Sequence, residues 1–149
     1  MTYKCYKLGV EKTLQVCLAT ASTSNNVSAG TYYNFSSLTG NAINHVSISG
    51  STLTLAAGRY FVEGHPYSDN RSSNLSFDFQ WEQEIDSSWT LIGTVGTLDT
   101  NDNTLGFRRS AAYFKIDLTS SADFKLKVTA NNDTGSSTNH GYIQVWRES

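Results

Sequence analysis

The chain has 149 residues, with 11 Lys and Arg against 13 Asp and Glu, a net charge of −2 and a pI near 5.8. That length suits one domain with its own core, and that balance gives no cationic footprint for a nucleic-acid backbone. Charged residues are 16% of the chain and aromatics 12%. This argues against intrinsic disorder, which pairs low hydrophobicity with high charge, and no apolar run approaches the ~18 residues of a membrane helix.

The opening "MTYKCYKLGVEKTLQVC" has lysines but no continuous apolar stretch after them, so it does not read as a secretory signal. A protein made in the cytoplasm is expected. Cys5 and Cys17 are too few for a disulfide framework. They pair only if two N-terminal strands lie side by side; the commoner outcome is two free thiols in a reducing compartment. The sequons at Asn26, Asn34, Asn70, Asn74 and Asn132 are expected to be unused, since a chain so rich in Asn, Ser and Thr produces them by chance.

From there the regular segments alternate with period two, the signature of strands. Leu14, Val16 and Leu18 form one face. Tyr33 and Phe35 share a side, then Val46 and Ile48, then Leu53 and Leu55. After Ala56-Ala57-Gly58, Tyr60, Val62 and Gly64 face one way and Arg59, Phe61, Glu63 and His65 the other. In "LSFDFQWEQEID", Phe77, Phe79, Trp81 and Ile85 oppose Asp78, Gln80, Glu82 and Glu84. "DSS" at 86–88 is a turn before "WTLIGTV", and "GTLDTNDNTLG" reads as a long loop. Ala112, Phe114, Ile116 and Leu118 come next as core, followed by Phe124, Leu126 and Val128 with Lys125 and Lys127 outside. At the end Ile143 and Val145 face away from Tyr142 and Trp146. Eight to ten short strands at this spacing predict an all-β, antiparallel two-sheet jelly-roll sandwich. Residues 31–149 are expected to form it, with 1–30 as an N-terminal arm or edge strand and attachment segment.

Three stretches carry a resemblance. "LTLAAGRYFVEG" has a leucine pair, a small-residue turn, Gly and then Tyr; "SAAYFKIDLTSSADFKLKV" has paired strands with an Asp just before the second; "HGYIQVW" has Gly before alternating aromatic and aliphatic residues. In this order they resemble the trimeric jelly rolls of complement-type and tumour-necrosis-factor-type globular heads, and more closely the version found in phage virion proteins. The resemblance spans roughly 32–146. No collagen stem precedes it, and 1–30 match nothing in that pattern. The resemblance implies three copies about an axis through one sheet. Phe61, Tyr142 and Trp146 lie opposite their strands' core residues, and clustered exposed aromatics mark interfaces, so these three are the candidate trimer contacts.

Motifs that would carry chemistry are weak. "DTNDNTL" from Asp99 imitates a calcium loop, but Thr104 stands where Gly is needed and Ser110 where the acid is needed. Glu63 and His65 share a strand face but lack a third ligand in any local spacing. Glu82 and Glu84 with Asp78 could pair as in a glycosidase, at about 7 Å from pleat geometry; a polar strand face is the simpler account. No phosphate loop and no activated cysteine pattern is present. No cofactor, metal or catalytic residue is therefore expected. The expected function is a non-enzymatic virion structural protein, a trimeric capsid decoration or head-fibre protein that contacts other virion proteins. The alternative is a tail or tail-fibre module that recognises a host glycan or surface protein through loops at 68–74, 99–103 and 131–139. Asp69, Asn70, Asp99, Asn101, Asp102, Asn132 and Asp133 supply adaptable hydrogen-bonding groups there. A carbohydrate-active enzyme is the remaining alternative.

Overall fold

Period-two alternation with β-branched and aromatic residues becomes strand after strand. In the computed structural model, residues 3–7, 10–22, 28–40, 43–68, 76–99, 108–131 and 139–148 are described. In chain order the strands are β1 (Tyr3–Lys7), β2 (Val10–Ser22), β3 (Asn34–Gly40), β4 (Val46–Ser49), β5 (Thr52–Leu55), β6 (Gly58–Ser68), β7 (Ser76–Ile85), β8 (Ser88–Asp99), β9 (Arg108–Arg109), β10 (Ala112–Leu118), β11 (Ala122–Asn131) and β12 (Asn139–Glu148). One sheet runs β1-β2-β12-β6-β10, with β3 also paired to β2; the other runs β4-β5-β11-β7-β8-β9. The strand pairs are antiparallel, and β2–β12, β6–β12, β6–β10, β5–β11 and β7–β11 join strands that are not consecutive in the chain. This is the jelly-roll sandwich that the alternation predicted.

The inner faces interlock. Tyr33, Phe35, Leu53, Leu55, Tyr60, Val62, Phe77, Phe79, Trp81, Phe114, Phe124, Leu126, Val128, Ile143 and Val145 are all buried. Trp81 is the largest. It stacks on Phe35 and meets Phe114 edge-on at 5.5 Å, while its indole N–H donates to the Ala112 carbonyl at 3.0 Å. That bond is what lets an indole be fully buried without an unsatisfied donor. Phe114 stacks in turn on Phe124 of the opposite sheet at 4.8 Å.

The alternation misleads at four places. Leu18 shares the apolar face of Leu14 and Val16 in the sequence, yet it is 41% exposed and Ala19 is buried instead. Ala19 pairs with the inward Ile143, so the smaller residue faces the core because its partner does. Ile85 is exposed because it borders the β7–β8 turn. That turn has only two central residues, Asp86 and Ser87, with φ of 50° and 62°; two positive values define the type I′ hairpin, whose twist suits the flanking strands. The third place is the loop predicted from 96, since β8 continues to Asp99. Gly93 and Gly96 lie inside the strand, where they let β8 approach β10. A Cβ on Gly96 would overlap the Phe79 ring and the Ala112 backbone. The seam is sealed by bonds from Tyr113 N–H to Thr94 Oγ1 and from Thr97 N–H to Ser110 Oγ. The fourth, Glu82, points outward but is buried.

The N-terminal segment enters the first sheet. β2 pairs with β12 from Leu14 to Ser22 and carries β1 and β3 on its other edge. Cys5 stands opposite Lys12, and Cys17 opposite Val145. The five residue steps from Lys12 to Cys17 span roughly 17 Å of strand, well beyond disulfide reach.

Candidate interaction site

The outward face of β6, β12 and β10 gathers several aromatics that the core does not use. Pairing sets the rows. Lys115, Phe61 and Trp146 form one; Tyr113, Glu63 and Gln144 the next; His65 and Tyr142 the last. Phe61 is the hub, with its ring 5.6 Å from Tyr113 and 5.3 Å from Trp146 and the Lys115 ammonium 5.6 Å away. His65 stacks nearly parallel on Tyr142 at 4.7 Å, and its Nε2 lies 3.0 Å from a Glu63 carboxylate oxygen. Tyr113 and Tyr142 are 43% and 41% exposed, and Phe61 and Trp146 are half-buried. Beside Phe61 and Trp146 an open cleft of about 600 Å³ continues past Ile116 to Arg59 and Asp117. There the Arg59 side chain binds Asp117 at 2.9 Å and approaches Glu148 at 3.7 Å. The hydrogen bond and charge of Asp117, helped by Glu148, raise the guanidinium above its ordinary range.

Phe61, Tyr142 and Trp146, chosen from the sequence, thus lie on one face. Phe61 and Trp146 touch, while Tyr142 belongs to the His65 stack. Tyr113 was missed, although its signal was available: it alternates with the buried Ala112 and Phe114 as Phe61 alternates with Tyr60 and Val62. The role of His65 was not legible, because its partner Tyr142 arrives from β12.

The outward face of the second sheet is built differently. Glu82 is only 3% exposed. It accepts from Lys127 Nζ at 2.7 Å and from the Tyr32 hydroxyl at 2.9 Å. Tyr32 reaches it because 30–33 runs alongside β11, with Gly30 and Tyr33 donating to the Val128 and Leu126 carbonyls. Burial, then the bond and charge of Glu82, raise the Tyr32 phenol; the bond to Glu82 raises the Lys127 ammonium. Lys125 lies 4.0 Å from the Trp89 ring centroid and 5.1 Å from that of Tyr32. Glu82 is thus committed to two partners, whereas Glu84 is exposed near the hairpin turn; the two do not face a common cleft. Among the described residues no group of three His, Cys, Asp or Glu side chains could hold a metal ion, and Glu63 and His65 remain a pair.

Of the loop candidates, Asp99 is the last residue of β8. Asp69, Asn70, Asn101, Asp102, Asn132 and Asp133 lie outside the described residues. The anchors of these loops do converge. Asn139 pairs with Ser68, Ser76 with Asp99, and Asn131 with Phe77, so all three connections leave from one end of the sandwich.

No protein-family model matches the chain, and no curated protein matches it significantly. Solved structures do. A crystal structure of murine APRIL at pH 8.0 aligns at a TM-score of 0.52 with 8% identity, covering 89% of this chain and 98% of that one. Murine APRIL at pH 5.0 aligns at 0.51 with 10% identity, covering 90% and 98%. The fold is a jelly-roll sandwich of the tumour-necrosis-factor type.

Proposed function

We propose that this chain is a non-enzymatic structural module that works as a homotrimer closed over the aromatic face of β6, β10 and β12, displayed on a bacteriophage particle as a capsid decoration or head-fibre protein. The observation that carries the trimer is the gathering of Phe61, Trp146 and Tyr113, with the His65–Tyr142 stack beside them, on one sheet face where Tyr113 and Tyr142 are exposed among the described residues. A water-exposed aromatic cluster of that kind gains by being covered, and small closed rings are the common way to cover it. The virion setting rests on the phage version of the sequence motifs. Trivalent attachment would add avidity on a lattice of matching geometry.

Sedimentation at low-micromolar concentration tests the assembly, and a stable monomer overturns it. Copy number and position in a purified particle test the setting: decoration predicts many copies on the head. The attachment role of the N-terminal segment is tested by deletion that stops before Val10, because removing β2 would strip β12 of a neighbour and unfold the sheet. A second reading, receptor or glycan recognition, is favoured by the convergence of the three Asn- and Asp-rich connections at one end. It predicts few copies at the tail, and adsorption defects from loop substitutions that leave assembly intact.

A further inference from the structure

We infer that covering the aromatic face takes up a proton at His65, so that self-association is tighter in mildly acidic solution than in alkaline solution. This rests on the proposed self-association through that face.

The geometry is specific. The imidazole lies between a carboxylate and an aromatic ring, with Nε2 3.0 Å from Glu63 and the ring stacked at 4.7 Å on Tyr142. A carboxylate and the negative face of an aromatic ring are the two kinds of group that attract a buried imidazolium. The His65 and Glu63 side chains are 29% and 23% exposed, so water now screens the pair. A second copy laid over the face would remove that water. With neutral His65, each copy would carry an uncompensated carboxylate into the contact, which is costly. With imidazolium, the same burial encloses a hydrogen-bonded ion pair of zero net charge, and the attraction strengthens as water leaves. Proton uptake therefore accompanies closure.

The other titratable groups on this part of the face, among the described side chains, are Tyr142 on β12 and Tyr113 on β10. Arg59, Lys115, Asp117 and Glu148 lie further along the same face. The sign follows. Burial of the ion pair would hold the proton, so the gain is present in acid, below the ordinary imidazole range of about 6.5. It is lost as pH rises through the higher range of the assembled state.

The experiment is sedimentation equilibrium of the full chain, His65→Gln and Glu63→Gln at about pH 5.5 and about pH 8, on either side of the imidazole range. Circular dichroism confirms that each variant is folded. The expected result is a wild-type dissociation constant about tenfold or more lower in acid, with the difference abolished in both variants. Equal constants at the two pH values, tighter association in alkali, or a difference that survives in His65→Gln overturns the inference and leaves the aromatic-face reading standing. A wild-type monomer at every pH and concentration overturns that reading, and this inference with it.

Discussion

The second sheet satisfies its polar groups on its outward face, whereas the first sheet leaves its aromatic groups open to water. On the second, Glu82 is closed by Lys127 and Tyr32, Lys125 lies between Trp89 and Tyr32, Thr97 donates to Asp78 at 2.8 Å, and Thr54 donates to Asp123 at 2.6 Å. Its exposed aliphatics, Leu91 and Val95, stand four residues apart on β8. Scattered apolar residues are ordinary at a protein surface. On the first, Phe61 adjoins Trp146 and Tyr113, Tyr142 stacks on His65 beside them, and none of the described side chains lies over Tyr113 and Tyr142. The same alternation produces both faces. One is finished by residues of its own chain, and the other is the face the proposed assembly would cover.

The strongest way to break this contrast is a charge at the hub. Phe61→Glu or Trp146→Glu should raise the dissociation constant of the assembly about a hundredfold or more, the size of an interface hot spot. The unfolding midpoint of the separated chain should move little, since neither side chain belongs to the core. Sedimentation and thermal unfolding of the same samples measure both; a variant that still assembles places the contact elsewhere.

The reverse experiment acts on the other sheet. Glu82→Ala leaves the Tyr32 hydroxyl and the Lys127 ammonium without their shared acceptor. It should cost about 2 kcal/mol of folding stability, below the value for a fully buried pair because Lys127 can turn to water. Denaturant unfolding reads that loss, and self-association should be unchanged.

A smaller effect is expected in alkali. Tyr32 and Lys127 both have raised values in the folded chain. Their contribution is full below the ordinary phenol and ammonium ranges, near about 10, and is lost as pH rises through the raised folded values. Segment 28–33 should then loosen from β11 before the core melts, visible as new proteolytic cleavage there together with phenolate absorbance. The smallest effect belongs to the hairpin turn. Asp86→Asn with Ser87→Gly suits the two positive φ angles and should add about 0.5–1 kcal/mol without altering assembly, as denaturant midpoints would reveal.

Much of the fold was legible. Phe77, Phe79 and Trp81, and Phe124, Leu126 and Val128, face inward as their alternation requires. Phe61, Tyr142 and Trp146 were found by the complementary rule, that a large apolar side chain opposite a core residue needs a second cover. Leu18 failed that rule because hydrophobicity outvoted position: Ala19 is the smaller residue, yet it is the one paired with Ile143. The extent of β8 was hidden because glycines read as loop residues, while here they serve close approach to β10. Glu82 was unreadable as buried, since its cover, Tyr32, comes from fifty positions earlier.

Sequence by itself determined which side of each strand is apolar, because side-chain direction in an extended chain repeats every two residues and depends on nothing distant. It thereby determined that β6 and β12 each carry large groups on both sides. Only the tertiary structure decided which strands became neighbours. It set Trp146 beside Phe61, stacked Tyr142 on His65, and gave one outward face a strap and an ion pair while the other stayed open. Cross-strand pairing joins residues far apart in the chain, and the period of a strand carries no information about its partner.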